Sequence, residues 1–278
     1  MKQSLTFFGL SDIGLNRANN EDVWVALPEI GFFALADGMG GHQAGEVAAK
    51  EAIEHLCFSI RNFSPSLSPP DLVPAFRKAI EKANRRVYEL GRELALLSGM
   101  GTTLCCLYWT PEAVIYCHVG DSRIYRLRGG KLELLTQDHS LFARFLARFK
   151  HLGEEPRSPY PYKHVITRAV GTSRKANPEI AIATHEPGDL FLLCSDGLSD
   201  VLELRDIEKI LEHSPSLEES AAHLIEKAKI KGSSDNITVL LVNQHANHLS
   251  RQQFDDASRP EGSVSHDGRP ERPPGEPL

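Results

Sequence analysis

Positive charge, long apolar runs and paired cysteines are all scarce in this chain of 278 residues. Its 31 lysines and arginines are outnumbered by 37 aspartates and glutamates, so the formal net charge is −6. General binding to nucleic acid or to an anionic membrane needs dense positive charge, so we expect neither partner. No apolar run reaches the ~18 residues of a membrane span, and no charged-then-apolar leader is present. These absences favour a cytoplasmic protein.

The cysteines number five, an odd count, and form no C-x-x-C pair. Most of them lie in apolar, strand-like runs, where cysteine usually behaves as a small buried hydrophobe. A reactive thiol needs an exposed, electropositive setting, which these neighbours do not suggest. We therefore assign all of them to the core: Cys57, Cys105, Cys106, Cys117 and Cys194.

Acidic residues, in contrast, recur in similar settings along the chain. The positions are Asp37, Asp121, Asp196, Asp235 and the pair Glu21–Asp22. Three of these aspartates follow apolar runs and two precede glycine, which predicts carboxylates at the rim of a sheet beside sharply bending backbone. A single Asp-Gly is commonly only a turn. Clustered carboxylates repel one another, however, and Mg²⁺ or Mn²⁺ with all-oxygen ligands would neutralise them. The recurrence predicts a two-metal oxygen site.

Eight short sequence blocks place these acids in a recognisable order. They lie at residues 17–22, 36–46, 100–103, 119–125, 135–140, 166–171, 193–198 and 235–239. In this order they resemble the bacterial metal-dependent serine/threonine protein phosphatases, also called the type 2C or PPM family. The resemblance covers nearly all of residues 5–243. It implies an α+β fold, with a central antiparallel β-sandwich flanked on both sides by α-helices.

The resemblance also implies a set of metal ligands for two to three Mn²⁺ or Mg²⁺ ions. Asp37 would bridge two ions and the carbonyl of Gly38 would ligate one of them. Asp196 and Asp235 would ligate the other ion. Asp121 matches the position that joins Asp196 around a third, weaker ion.

The remaining site residues follow from the same resemblance. Glu21 and Asp22 match an acidic pair that contacts metal directly or through water. Arg17 matches the arginine that grips the phosphate, a task suited to its planar fork of donors. The implied reaction is in-line attack on phosphorus by a hydroxide that bridges the ions at Asp37.

One position departs from part of the family. Met39 follows the Asp37-Gly38 pair, where eukaryotic members place histidine, and bacterial members share the methionine. The general acid is therefore open between His42 and metal-bound water, and we favour a structural role in the turn for His42. The glycines before the following helix do not indicate a nucleotide site, because neither G-x-G-x-x-G nor a P-loop lysine is present.

Apolar periodicity predicts the secondary structure. Strands are expected at 5–10, 22–27, 31–36, 102–109, 113–119, 122–127, 131–135, 179–184, 190–194 and 237–242. Helices are expected from about residue 44, across 76–97, and at 206–211 and 216–229. We interpret the four strands between 102 and 135 as a meander. The apolar residues along 76–97 recur at helical spacing and form one stripe. This stripe indicates core packing rather than a coiled coil, since Ser98-Gly99 ends it after three heptads.

Two segments lie outside this regular pattern. Residues 141–163 combine a helical phenylalanine spacing with a proline-rich stretch, and by resemblance they form the flap beside the active site. The flap's basic residues could attract phosphorylated substrate or form an ordinary solvated face; they are Arg144, Arg148, Lys150, Arg157 and Lys163. Residues 246–278 are rich in proline and charge, so we expect a disordered tail after a catalytic domain of residues 1–245.

The leading functional hypothesis is a phosphatase that acts on phosphoserine and phosphothreonine in proteins. Its partners would be phosphoprotein substrates, including a serine/threonine kinase and that kinase's targets, and the chain would be a monomer. A catalytically dead binding module is a second class, which the intact aspartates disfavour. A two-metal nuclease or phosphodiesterase is a third, which the low positive charge disfavours.

Overall fold

In the computed structural model, residues 5–40, 44–64, 66–152, 162 and 164–244 are described. Eleven strands within these residues form two sheets. In chain order they are β1 (Leu5–Asp12), β2 (Asp22–Leu27), β3 (Phe32–Met39), β4 (Gly101–Thr102), β5 (Leu104–Trp109), β6 (Val114–Val119), β7 (Arg123–Arg128), β8 (Lys131–Leu134), β9 (Glu179–Ala183), β10 (Leu190–Cys194) and β11 (Ile237–Gln244).

Both sheets are antiparallel. One has five strands in the order β1-β11-β10-β7-β8, and the other follows β2-β3-β5-β6-β9, with β4 paired to β3. The first sheet joins the two ends of the described chain, because Leu5 of β1 pairs with Gln244 of β11.

Six α-helices occur in the described residues. They are α1 (Ala44–Arg61), α2 (Pro69–Glu93), α3 (Leu141–Leu152), α4 (Asp196–Ser199), α5 (Leu204–His213) and α6 (Leu217–Ile230), with short 3-10 turns at Pro28–Ile30 and Ala95–Leu97. Prolines open α2, where a missing N–H leaves no hydrogen bond unmade. Ser216 caps α6 by accepting a 3.1 Å hydrogen bond from the Glu219 N–H.

The core lies in three layers. Aromatic and aliphatic side chains from both sheets, such as Phe33, Trp109 and Phe191, fill the space between the sheets. Helices α1 and α2 cover the outer face of the six-stranded sheet, and α5 and α6 cover that of the five-stranded sheet. This arrangement confirms the predicted fold class. All five cysteines are buried, as expected.

The predicted meander is wrong. β5 and β6 form a hairpin in one sheet, whereas β7 and β8 form a hairpin in the other. The chain crosses between the sheets at residues 120–122, where Gly120 has φ +105°. A strand pattern cannot show this crossing, because successive hairpins have the same period whether or not they share a sheet.

Two boundaries also differ from the sequence prediction. α2 ends at Glu93, so the last leucines of the predicted stripe lie beyond the helix. β3 continues through Asp37-Gly38 to Met39 and pairs there with β4, so this Asp-Gly is extended strand and not a turn.

Parts of the predicted flap and the whole predicted tail, 246–278, lie outside the described residues. The helical phenylalanine spacing in the flap is confirmed by α3. None of the helices in the described part of the chain combines the length and the apolar character needed to cross a membrane.

Candidate active site

A cavity of about 610 Å³ opens where elements of both sheets meet. β3 contributes Asp37, Gly38 and Met39, the crossing after β6 contributes Asp121, and α4 contributes Asp196. The remaining polar lining includes Arg17, Glu21, Thr103, His164, Asp200, Ser233, Ser234 and Asp235. The structure therefore brings five of the six predicted acids from distant parts of the sequence to one opening.

Asp22 is the predicted acid that does not line the cavity, and it connects the two sheets behind it. It lies opposite Asp37 in the β2–β3 register. Its Oδ2 accepts hydrogen bonds from Ser195 Oγ at 2.8 Å and from Thr238 Oγ1 at 2.6 Å, and both donors come from the five-stranded sheet or its margin. The contact fixes the sheets together directly beside the cavity.

Thr103 holds the backbone of Asp37 through two hydrogen bonds. Its N–H donates to Thr103 Oγ1 at 2.9 Å, and its carbonyl accepts from the Thr103 N–H at 2.8 Å. Thr103 Oγ1 is in turn hydrogen-bonded to Ser122 Oγ at 2.7 Å. The Asp37 carboxylate is therefore carried by a strand that is fixed on both sides.

Glycine is required at position 38 by close approach. A Cβ there would collide with the Gly45 carbonyl at the start of α1 and would lie 2.8 Å from the Glu21 carbonyl oxygen. The Gly38 N–H donates to that same Glu21 oxygen at 3.2 Å. The missing side chain lets β3, α1 and the loop that carries Glu21 pack against one another.

Asn236 organises the loop before β2. Its Oδ1 accepts from the Glu21 N–H at 2.8 Å, and its Nδ2 donates to the carbonyls of Ile13 at 2.9 Å and Asn19 at 3.0 Å. Next to it, Asp235 Oδ2 accepts from Arg17 Nη2 at 2.6 Å. The predicted phosphate-binding arginine is thus paired with a predicted metal ligand.

His164 and Asp200 line the cavity without having been identified from the sequence. His164 Nδ1 lies 2.7 Å from Asp200 Oδ2. His164 follows the predicted flap in sequence, whereas Asp200 follows α4, so the pair joins two segments that are distant in the chain. Neither residue lies in a block that resembles the family, and no local pattern distinguishes them.

Burial and, after it, mutual repulsion raise the pKa values of the acids. Burial, and then the charges of Asp22 and Asp196, raise the pKa of Asp37 well above its usual value. Burial, and then Asp121 and Asp235, do the same to the pKa of Asp196. Burial is the main cause that raises the pKa values of Asp22 and Asp121 to about 6. The protein alone does not compensate these charges.

A divalent cation fits this donor set. The carboxylate atoms Asp22 Oδ1 and Asp196 Oδ1 are buried and have no hydrogen-bond partner among the described residues. Buried acceptors of this kind are costly unless a cation or a donor faces them. Oxygen-only ligands are those that Mg²⁺ and Mn²⁺ prefer.

Comparisons with known proteins identify the family of this chain. The family described as "Protein phosphatase 2C" matches residues 16–241. The chain belongs to the protein phosphatase 2C family. The serine/threonine phosphatase stp of Listeria welshimeri is 35% identical over 238 residues, which cover 84% of this chain and 94% of the relative.

Solved structures of protein phosphatases show the same fold. The serine/threonine phosphatase of S. agalactiae is 34% identical, with a TM-score of 0.79 over 87% of this chain and 100% of that chain. The catalytic domain of the serine/threonine protein phosphatase PstP is also 34% identical, with a TM-score of 0.74 over 87% of this chain and 99% of that chain, and its structure contains two manganese ions. This chain is accordingly a metal-dependent protein phosphatase.

One further group in this phosphatase has the spacing of metal ligands: His118, His139 and Glu179, whose nearest ligand atoms lie within 4.8 Å of one another. The guanidinium of Arg168 already lies there, with Nη1 at 3.0 Å from His139 Nε2 and 2.9 Å from Glu179 Oε1. The position of a cation is therefore taken by a side chain. His42, considered above as a general acid, lies outside the described residues.

Proposed function

We propose that this protein phosphatase hydrolyses phosphoserine and phosphothreonine in proteins, using two to three Mn²⁺ or Mg²⁺ ions held at the cavity. The observation that carries the proposal is the convergence of Asp37, Asp121, Asp196 and Asp235 on one opening. The raised pKa values of Asp37, Asp121 and Asp196 and the unpartnered Asp196 oxygen support a cationic occupant. A substrate anion alone would add to the repulsion.

The division of roles follows the family pattern. Asp37 and the Gly38 carbonyl, together with Asp196 and Asp235, would hold the two principal ions, and Asp121 would join Asp196 around a third. When bound, the ions supply a water of lowered pKa for in-line attack and a positive field for the phosphoryl oxygens.

The protein's own residues bind and orient the substrate. Arg17 Nη2 is engaged with Asp235, and the other donors of its guanidinium fork suit two oxygens of one phosphate. Glu21 lines the cavity, and burial raises its pKa. Asp22 lies behind Asp37, where it would contact metal through water and hold the two sheets in place.

The test is hydrolysis of a phosphothreonine peptide in the presence of Mn²⁺, with single-stranded DNA assayed in parallel. We expect peptide hydrolysis and no DNA cleavage. Asp196→Ala should reduce peptide turnover by far more than tenfold at saturating metal, because it removes a ligand of the activating ions. Asp71→Ala, at the exposed start of α2, is the matched control.

Each contrary result identifies a different alternative. Binding of phosphopeptide without hydrolysis would indicate an inactive binding module, and DNA cleavage would indicate a nuclease. Asp196→Ala turnover within about tenfold of wild type would remove Asp196 from the site, since that ratio is only ~1.4 kcal/mol of transition-state stabilisation.

The cellular setting is part of the same proposal. A serine/threonine kinase and its targets are the proposed substrates, and a cytoplasmic monomer is the proposed form. Size-exclusion chromatography with light scattering tests the monomer, and a phosphoproteome comparison of cells with and without the protein tests the substrates.

A further inference from the structure

We propose that His139 is a positioning residue for metal binding: it holds the Gly120–Asp121 crossing in the conformation that presents Asp121 to the cavity. The inference rests on the proposed function, in which Asp121 is a ligand of the third ion. His139 itself does not line the cavity, so it would act through the backbone.

The first observation is a two-point contact. His139 Nδ1 accepts a 3.2 Å hydrogen bond from the Gly120 N–H, and the His139 N–H donates to the Gly120 carbonyl at 2.9 Å. Both polar groups of the Gly120 backbone are therefore bound by one residue. Gly120 has φ +105°, and a Cβ there would lie 2.7 Å from the Thr103 side chain, so the crossing tolerates little variation.

The second observation is that the His139 ring is itself fixed. Because Nδ1 accepts from Gly120, Nε2 carries the proton, and it lies 3.0 Å from Glu179 Oε1. The ring also stacks on His118, with centroids 4.5 Å apart and an interplanar angle of 22°. The side chain is only 5% exposed. Because the His139 ring is itself fixed, it can hold the Gly120 amide in one position.

The third observation connects the same residue to the end of the flap. The Thr167 N–H donates to the His139 carbonyl at 2.6 Å, and Ser140 forms a β-bridge with Ile166. Ile166 lines the cavity. One short segment thus fixes both the Asp121 crossing and the point where the flap rejoins the fold.

Such contacts change metal affinity measurably. Residues that orient metal ligands commonly alter affinity by about 10–100-fold when they are replaced. A ligand that moves by about 0.5 Å no longer fits a tight coordination site. Asp121 follows Gly120 directly, so release of the Gly120 amide would loosen the Asp121 carboxylate.

The experiment compares His139→Asn with His139→Gln. The Asn Oδ1 occupies the position of the histidine Nδ1 and can accept from Gly120, whereas the Gln amide extends toward Glu179 and leaves the Gly120 N–H without its acceptor. Mn²⁺ binding is measured by titration calorimetry, and exchange of the Gly120 amide hydrogen is measured by NMR in the metal-free protein.

We expect His139→Gln to weaken the weakest Mn²⁺ site by about tenfold or more and to speed Gly120 exchange, as suggested by the effects of ligand-orienting residues. His139→Asn should stay within about threefold of wild type for Mn²⁺. The positioning role is overturned if His139→Gln binds Mn²⁺ like wild type, or if both variants lose binding equally, which would indicate only a packing role.

Asp121→Asn separates this inference from the proposed function. It should weaken the same Mn²⁺ site without changing Gly120 exchange. If Asp121→Asn leaves Mn²⁺ binding unchanged, the ligand assignment is wrong. If Asp121→Asn weakens binding and His139→Gln does not, the assignment stands and the positioning role is wrong.

Discussion

The acids of the site depend on neutral side chains that hold them. Thr238 and Ser195 satisfy one oxygen of Asp22, and Thr103 binds the backbone of Asp37. Asn236 joins three backbone groups around the loop that carries Glu21. Removing such a partner leaves a buried polar group unsatisfied, so each of these residues supports the site through the group that it binds.

Arg17→Lys tests the phosphate-binding role. Lysine keeps the charge and can still pair with Asp235, but it lacks the planar fork. We expect KM for a phosphopeptide to rise about tenfold, because a hydrogen bond to a charged group contributes about 1.5–3 kcal/mol. Steady-state kinetics at saturating Mn²⁺ measure the change, with Arg92→Lys as the control. An unaltered KM would remove Arg17 from phosphate binding.

Acid should destabilise the fold partly through His139. Burial, and then the neighbouring His118, lower the pKa of His139 to about 4 despite its hydrogen bond to Glu179. An unfolded histidine titrates near ~6.5, so between these values the unfolded state binds more protons and stability falls as the pH falls.

The pH prediction is checked by urea unfolding of the wild type and His139→Asn from pH 7 to pH 4, both without metal. As the pH falls over this range, the unfolding free energy of the wild type should decrease by more than that of His139→Asn. His213→Asn, at the exposed end of α5, is the control and should follow the wild type. If the unfolding free energies of the wild type and His139→Asn fall equally with pH, the lowered pKa of His139 is contradicted.

The carboxylates of the site could be predicted from the sequence, whereas the residues that hydrogen-bond to them could not. A single Asp-Gly is commonly a turn, but several acids that recur after apolar runs indicate a shared cation site. Thr103, Ser195 and Thr238 are ordinary residues of strands and turns, and their partners are set by register across two sheets. Asp200 and His164 lie far apart in the sequence, and no local pattern encodes their contact.

Helix α2 carries a buried polar residue that fixes a loop near the site. Asn84 is fully buried; its Oδ1 accepts from the Gly171 N–H at 2.8 Å and its Nδ2 donates to the Ser173 carbonyl at 3.1 Å. The preceding Val170 pairs with Thr102, next to Thr103. The helix thereby supports the strand that holds Asp37.

Asn84→Ala should lower the stability by about 1–3 kcal/mol, since it leaves the Gly171 amide without an acceptor. In a domain of this size a loss of about 1 kcal/mol lowers the melting temperature by about 2–4 °C, so a thermal melt measures the effect. Asn62→Ala, on an exposed asparagine whose side chain donates to the Phe58 carbonyl, should change little. Equal melting temperatures for both variants would show that the loop does not depend on Asn84.

Strand and helix positions could largely be predicted, but the assignment of strands to sheets could not. Apolar periodicity identifies strands β5 to β8 correctly, but it does not show which of these strands pair with one another in a sheet. The crossing at Gly120 depends on a left-handed backbone angle and on packing against Thr103. Both are tertiary features, and they also place Asp121 at the cavity.

Deletion of residues 246–278 should leave the molecule intact. The segment follows β11, and its proline and charge content offers little apolar surface to bury. We expect the same melting temperature and the same turnover on a small phosphopeptide as for the full chain. A decrease of several degrees, or loss of most turnover, would place the domain boundary later than residue 245.

The pairing of β1 with β11 has a consequence for biosynthesis. A ribosome that adds about 5–20 residues per second releases β1 roughly ten to fifty seconds before β11. Throughout that interval β1 lacks the strand that it pairs with in the finished sheet. The same late segment brings Asp235, Asn236 and Thr238, which complete the cavity and its supports. A nascent chain therefore lacks part of its cavity until β11 has been made.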